Sequence, residues 1–388
     1  MSGGGSRESQ EHRPGCRRPY CLVSTTGWGP PVNPLDLPAT YERLDPEGLL
    51  GRIRELPRQC REAWRQAAAF KLPSDYWRVE RLVVLGMGGS AIAGALLRAL
   101  VSRRGRASVT VVRGYDLPAF VDERTLVVAS SYSGETEETL AAFSKALSGP
   151  AKKAVITGGG RLAALARERE FPAFFYSYRG EPRSALGYSL MPLLSIAEQI
   201  GLLKEPEAEV AEATELMAEM GQGIDSPVGA ANNPAKRLAE ELLDRIPVVY
   251  GAEALAPVAQ RWKAQFNENS KVWAFHEELP EANHNAIVGY VLPREIARRI
   301  RVIFLFHPAL HPRVILRYEG SQEALKSAGV DYEIVESRGS SPLSQVLTGV
   351  LYGDYVSYYL ALLNSVSPSP TRAIEALKKR LAAEPWQA

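Results

Sequence analysis

Short, mostly apolar runs alternate with longer stretches of helical period along most of this chain. Residues 82–85, 108–113, 125–130, 154–157 and 173–176 are too short for buried helices, and Gly, Ser or Pro punctuates the breaks between them. Apolar runs of this length without polar alternation predict strands covered on both faces. Helical patterns at 90–102, 135–147 and 161–169 separate them, after a leading helical segment at 50–70. Strands alternating with helices predict a parallel, doubly wound sheet. A helical stretch follows at 190–203, 207–220 and 233–244, with Pro234 at a first-turn position. A second α/β series then runs through strands at 247–251, 272–275, 302–306 and 332–335, with helices at 258–269 and 313–328. Helices at 344–364 and 371–382 close the chain. The pattern predicts two similar α/β halves with a ligand between them.

Two of the predicted strand ends carry chemistry. The strand at 125–130 runs into Ser131-Tyr132-Ser133-Gly134-Glu135-Thr136 at the start of a helix. The first N–H groups of a helix lack internal acceptors and carry the positive end of its dipole. Hydroxyls at spacings of two and three add donors for the oxygens of one phosphate. An ordinary Ser/Thr turn with an N-cap would read the same way in isolation. The same architecture recurs upstream, where the strand at 82–85 runs into Gly86-Met87-Gly88-Gly89-Ser90. Glycines there let the backbone approach a ligand closely. A dinucleotide fingerprint would need glycine at Ala91 and an acid near Val111-Val112-Arg113-Gly114, and no Walker Gly-Lys-Ser/Thr follows. One phosphorylated ligand at adjacent strand ends is the reading, with Gly88, Gly89, Ser90, Ser131, Ser133 and Thr136 as its contacts.

Composition narrows the class. With 388 residues, 45% of them apolar, the chain can bury the cores of two α/β domains. A formal charge of +2 without a separate basic block argues against nucleic-acid binding. No apolar run suggests a membrane span. The stretch to about Pro38, rich in Gly, Ser, Arg and Pro, lacks a signal core and reads as a disordered tail, or as sequence upstream of a misassigned start. Cys16, Cys21 and Cys60 have no framework spacing, which points to a reducing cytoplasm. Among the histidines only His307 and His311 have helical metal spacing, and Pro308 and Pro312 oppose a helix there. No catalytic metal is expected.

Five motifs together are more specific. Gly86-Met87-Gly88-Gly89-Ser90, the Ser131–Thr136 turn, Pro182-Arg183-Ser184-Ala185-Leu186-Gly187-Tyr188-Ser189, Asn267-Glu268-Asn269-Ser270-Lys271 and Glu281-Ala282-Asn283-His284-Asn285 stand in this order. With the terminal Ala373-Ile374-Glu375-Ala376-Leu377-Lys378, the chain resembles the bifunctional phosphoglucose/phosphomannose isomerase family over roughly residues 45–388. The first two motifs mark any sugar-isomerase (SIS) protein; the Asn-Glu-Asn and Asn-His-Asn elements with the terminal helix single out this family. The resemblance implies an α/β fold of two SIS subdomains, each a doubly wound parallel sheet flanked by helices, with a helical C-terminus. A tail at 1–44 would precede subdomains at 45–230 and 231–388. It also implies reversible isomerisation of glucose 6-phosphate and mannose 6-phosphate to fructose 6-phosphate through a cis-enediol, without a cofactor. Small-molecule sugar phosphates would be its ligands, in cytoplasmic glycolysis and gluconeogenesis. A homodimer with shared active sites is implied as well, with neither nucleic acid nor membrane as partner.

The chemistry explains the residue types. Moving a proton from C2 to C1 needs a carboxylate whose pKa burial raises towards neutrality. Glu268 fits, flanked by Asn267 and Asn269 that would fix its geometry; the ordinary alternative is an exposed helix-end Glu paired with Lys271. Negative charge on the enediolate oxygens needs a fixed cation. The resemblance gives that role to Arg183, whose alternative is a surface pair with Glu181. Ring opening needs a proton shuttle near neutrality, for which His284 is the candidate; otherwise it is a turn histidine capping a helix. Lys378 is a further ring-opening or O1/O5 contact by resemblance, and by periodicity a solvated helix face.

Two departures from the family pattern stand out. Glu135 replaces an expected Asn and should point away from the phosphate. Ser367-Pro368-Ser369-Pro370-Thr371 replaces Asp-Pro-Thr-Pro, leaving Ser369 or Thr371 as the hydroxyl that accepts the C2-epimeric substrate. Two rivals remain. A glucosamine 6-phosphate synthase-like enzyme would need an amidotransferase domain, and a sugar-phosphate sensor a DNA-binding module.

Overall fold

The computed structural model describes residues 32–102 and 108–384. The expected tail at 1–31, with Cys16 and Cys21, lies outside the described residues. Its predicted extension to residue 44 does not hold. Pro34–Asp36 form a short 3-10 turn and α1 spans Pro38–Leu44. Leu35 is 0% exposed, and the buried Lys236 ammonium donates to its carbonyl (2.7 Å) and to Asp36 (3.0 Å). Composition could not show this, because the partner lies 200 residues away.

Helices α2 (Leu49–Arg54) and α3 (Leu56–Ala69) replace the single leading helix, broken at Glu55 just before Pro57. The first sheet follows: β1 (Arg81–Leu85), α4 (Gly88–Ser102), β2 (Ser108–Val112), β3 (Thr125–Ser131), α5 (Glu137–Leu147), β4 (Lys152–Thr157), α6 (Gly160–Glu168) and β5 (Ala173–Phe175). Its order is β2-β1-β3-β4-β5 and every pair is parallel. The central strand β3 is buried throughout, as its unbroken apolar run requires.

Helices α7 (Leu186–Gln199), α8 (Pro206–Ile224) and α9 (Pro234–Glu241) lead to the second sheet. Asn233 caps α9 by accepting from the N–H groups of Ala235 and Lys236, worth about 1 kcal/mol. Then come β6 (Ile246–Ala252), α10 (Ala256–Gln265), β7 (Phe275–Leu279), α11 (Arg294–Ala297), β8 (Ile300–Phe306), α12 (Pro312–Ala328), β9 (Asp331–Glu336), α13 (Pro342–Leu363) and α14 (Arg372–Ala383). This sheet is also parallel, in the order β7-β6-β8-β9.

Strand β7 starts three residues later than the apolar run Val272–Phe275 suggests. It is an edge strand, so Glu277 and Glu278 are tolerated there, while Trp273 is left outside at 77% exposure. Both sheets belong to one compact unit beginning at Pro34. At its centre lies α13, against α8, α9 and α10. This helix is long and apolar enough to cross a membrane, contrary to the expectation that no run is, but 94% of its apolar window is buried inside the protein. Each buried Leu, Val or Tyr adds roughly 1.5–3 kcal/mol to that packing.

Candidate active site

The phosphate turns come together as the parallel register demands. Leu85 pairs with Ala129, so the glycine turn after β1 and the hydroxyl turn after β3 open at one sheet edge. A Cβ on Gly86 would lie 3.1 Å from the Ser130 carbonyl. Helix α4 begins at Gly88, which places Ser90, buried, in its first turn. Across the gap, Ser131 Oγ and Thr136 Oγ1 share a 2.9 Å hydrogen bond, and the Gly134 N–H donates to Ser131 Oγ at 3.1 Å. The Glu135 N–H donates to the exposed Ser133 hydroxyl at 3.2 Å. Gly134 has φ +68°, and a Cβ there would stand 1.8 Å from the Gly159 carbonyl, so only glycine fits. Thr136 is the N-cap of α5, but its hydroxyl turns to Ser131, leaving the helix without a side-chain cap. Such N–H groups suit an anion. The Glu135 carboxylate accepts from the Arg161 N–H (2.6 Å) and Nε (2.7 Å) at the start of α6. Burial would raise its pKa, but the Arg161 contacts prevail and lower it.

The next component packs on the glycine turn itself. A Cβ on Gly89 would lie 3.0 Å from the carbonyl of Pro182 in the short Pro182–Ser184 turn. From this turn Arg183 reaches inward and is only 5% exposed. Its Nε donates to Asn269 Oδ1 at 2.7 Å, and Nη1 lies 3.4 Å from Glu268 Oε2. Nη2 donates to the carbonyls of Pro368 and Ser369, both at 2.9 Å. The surface pair with Glu181 does not form; Glu181 pairs with Arg52 at 2.7 Å instead. Burial lowers the Arg183 pKa and Glu268 opposes it, but a guanidinium stays charged.

Behind Arg183 stands a group that the sequence reading missed. Arg261 donates to the Arg183 carbonyl (3.1 Å) and to Asp354 (2.8 Å), which also accepts from Gln265 (2.8 Å). The available signal was Asp354 as a lone acid in an apolar helix, opposite an Arg/Gln pair four residues apart on α10.

Glu268 does not end a regular helix. After Gln265 the chain widens into a π-helical turn, Phe266–Ser270, a distortion found often at functional sites. The flanking asparagines hold the turn rather than the carboxylate. Asn267 donates to the Val272 carbonyl (2.8 Å), while Asn269 joins Arg183 to Ser357 (3.0 Å). The Glu268 side chain keeps 28% exposure, open on one side. Lys271 does not pair with its carboxylate. The ammonium donates to the main-chain carbonyls of Glu268 and of Pro368, the latter at 3.2 Å. Burial first, and then Arg183, push the Lys271 pKa down to about 8.

Two predicted residues stand apart from this cluster within one chain. Helix α10 runs back along the sheet after β6, so Glu268 precedes the start of β7, whereas His284 follows its end. Five residues of β7 put about 13 Å of strand between them. His284 is exposed and caps no helix; Asn285 does so in its place, accepting from the Ala286 N–H at 2.6 Å. Lys378 lies on α14, which buries no side chain. Of the two loop hydroxyls, Ser369 is buried and accepts from Arg52 at 3.4 Å, while Thr371, partly exposed, leads into α14. His307 and His311 each accept from a backbone N–H two residues on. Among the described residues no group of three His, Cys, Asp or Glu is placed to hold a metal ion.

This arrangement belongs to a class with known members. The C-terminal domain of glucosamine-fructose-6-phosphate aminotransferase from Francisella tularensis superposes with a TM-score of 0.65 at 13% identity, covering 82% of this chain and 97% of that one. The fold is therefore that of the SIS sugar isomerases: two parallel sheets flanked by helices, with a helical C-terminus. Residues 231–381 match the family described as bacterial phospho-glucose isomerase C-terminal SIS domain. The bifunctional phosphoglucose/phosphomannose isomerase of Caldicellulosiruptor bescii is 36% identical over 331 residues, 85% of this chain and 98% of the relative. That of Thermoplasma acidophilum is 34% identical, over 78% of this chain and 89% of the relative. The chain belongs to the bifunctional phosphoglucose/phosphomannose isomerase family.

Proposed function

We propose that the protein interconverts glucose 6-phosphate and mannose 6-phosphate with fructose 6-phosphate. The observation that carries this reading is Arg183, buried between the glycine turn after β1 and Glu268, where a sugar anchored by its phosphate would present its carbon end. Glu268 takes the proton from C2 and delivers it to C1, while the O2 proton passes to O1, so no atom is gained or lost. Arg183, fixed by four bonds before substrate arrives, offsets the charge that grows on the enediolate oxygens. Gly88, Gly89, Ser90, Ser131, Ser133 and Thr136 hold the phosphate, and Ser369 faces the sugar. The two aldoses differ only at C2, which is planar in the enediol. One base therefore serves both if the intermediate turns about C2–C3, and no cofactor is required.

The same reading makes the working unit a homodimer in which His284 opens the ring in the neighbour's site and α14 brings Lys378 to the sugar. Support comes from exposed apolar residues just past the His284 turn, Val288 (86% exposed), Val291 and Leu292, and from Trp273 and Phe275 at the start of β7. Helix α14 likewise exposes Ile374, Leu377 and Leu381. The setting is cytoplasmic carbohydrate metabolism, in glycolysis and gluconeogenesis, without nucleic acid or membrane. The test is incubation with fructose 6-phosphate and detection of both aldose phosphates; absence of both products overturns the reading.

A further inference from the structure

Lys271 is anomalous in three ways. It is a lysine in left-handed backbone conformation (φ +57°), where Gly or Asn is the ordinary choice. Its side chain is exposed, yet its ammonium passes over the nearby Glu268 carboxylate for main-chain oxygen. It also bonds two carbonyls far apart in sequence, that of Glu268 three residues before it and that of Pro368, 97 residues after it. A backbone strained in this way persists when surrounding contacts determine it. Arg183 donates to the same Pro368 carbonyl at 2.9 Å.

We propose that Lys271 is a positioning residue that latches the turn carrying Glu268 to the 365–371 loop, so that base and loop keep one spacing through the reaction. The inference rests on the isomerase reading for its kinetic consequence, but the latch itself is a property of the free protein. The charged groups facing the ammonium are Arg183, which disfavours its charge, and Glu268, Glu181 and Glu47, which favour it. Burial outweighs the three acids, so the proton is lost near pH 8. The two bonds to carbonyl oxygen then lose their charge assistance and weaken.

The test compares full-length wild type, Lys271→Met and Lys271→Arg. Amide hydrogen exchange is followed over 266–271 and 365–371, and turnover from neutral to alkaline pH. Lys271→Met should exchange about tenfold faster in both segments, and lose about tenfold in kcat with KM within about twofold. Lys271→Arg, which keeps a charge that does not titrate, should restore both. Its kcat should stay level where wild-type kcat falls. Unchanged exchange in Lys271→Met, or an alkaline limb identical in wild type and Lys271→Arg, overturns the latch. If Lys271→Met does not fold, the Lys271→Arg pH profile decides. A wild type without isomerase activity defeats the functional reading alone, and the exchange measurement still judges the latch.

Discussion

The Asn-Glu-Asn and Asn-His-Asn turns resemble one another in sequence and differ completely in setting. Around Glu268 every neighbour is held: Asn269 is 0% exposed between Arg183 and Ser357, and Ser270 donates to the Ser357 carbonyl at 2.6 Å. Around His284 the asparagines hold only their own surroundings. Asn283 donates to Ser321 (2.7 Å) and Asn285 to Glu281 (2.9 Å), leaving the imidazole exposed. One turn is complete within its chain; the other presents a catalytic type of residue to the outside. The contrast teaches that a polar motif gains a function from what surrounds it: the neighbours of Glu268 are fixed while its carboxylate stays open on one side, and His284 has no such frame within its chain.

The sharpest way to break the comparison is Glu268→Gln. The amide keeps shape but cannot take a proton from carbon, so turnover should fall by roughly 10²-fold or more while substrate still binds. Near-normal kcat in this variant would remove Glu268 from the role. His284→Ala should show a similar loss, and mixing the two inactive proteins under subunit exchange then locates the histidine. If it serves the neighbour, hybrid dimers contain one intact site, and about a quarter of wild-type activity returns after full exchange. No recovery after demonstrated exchange places His284 in its own chain's site.

A smaller effect separates the turns by stability. Asn269→Ala strips bonds from Arg183 and Ser357 in the interior and should cost about 2–3 kcal/mol in denaturant unfolding. Asn283→Ala, which loses one bond to Ser321 at a partly buried position, should cost about 1 kcal/mol, and equal costs would contradict the distinction. Least severe is Ser131→Ala with Thr136→Ala. In the proposed function these hydroxyls face a phosphate that both substrates share, so KM should rise about tenfold for each with little change in kcat. A selective rise for mannose 6-phosphate would place them elsewhere.

Much of the frame was legible before folding. Runs such as Leu82–Leu85 and Leu126–Ala129 can only be buried parallel strands, because nothing in them can face water, and their register brings both phosphate turns to one edge. Residue types together with the family resemblance singled out Glu268, Arg183 and His284 as candidates, since few side chains can move a proton from carbon or hold an oxyanion. Placement was not legible where it depends on partners distant in sequence. Leu35 and Asp36 are fixed by Lys236, β7 by its register with β6, and Arg183 by Asn269 and the 365–371 loop instead of the adjacent Glu181. The sequence by itself determined the strands, the turns and the chemical candidates, because local period and side-chain chemistry are properties of short segments. Tertiary structure decided which candidates meet, because burial brings together groups 80 to 200 residues apart and removes their access to water.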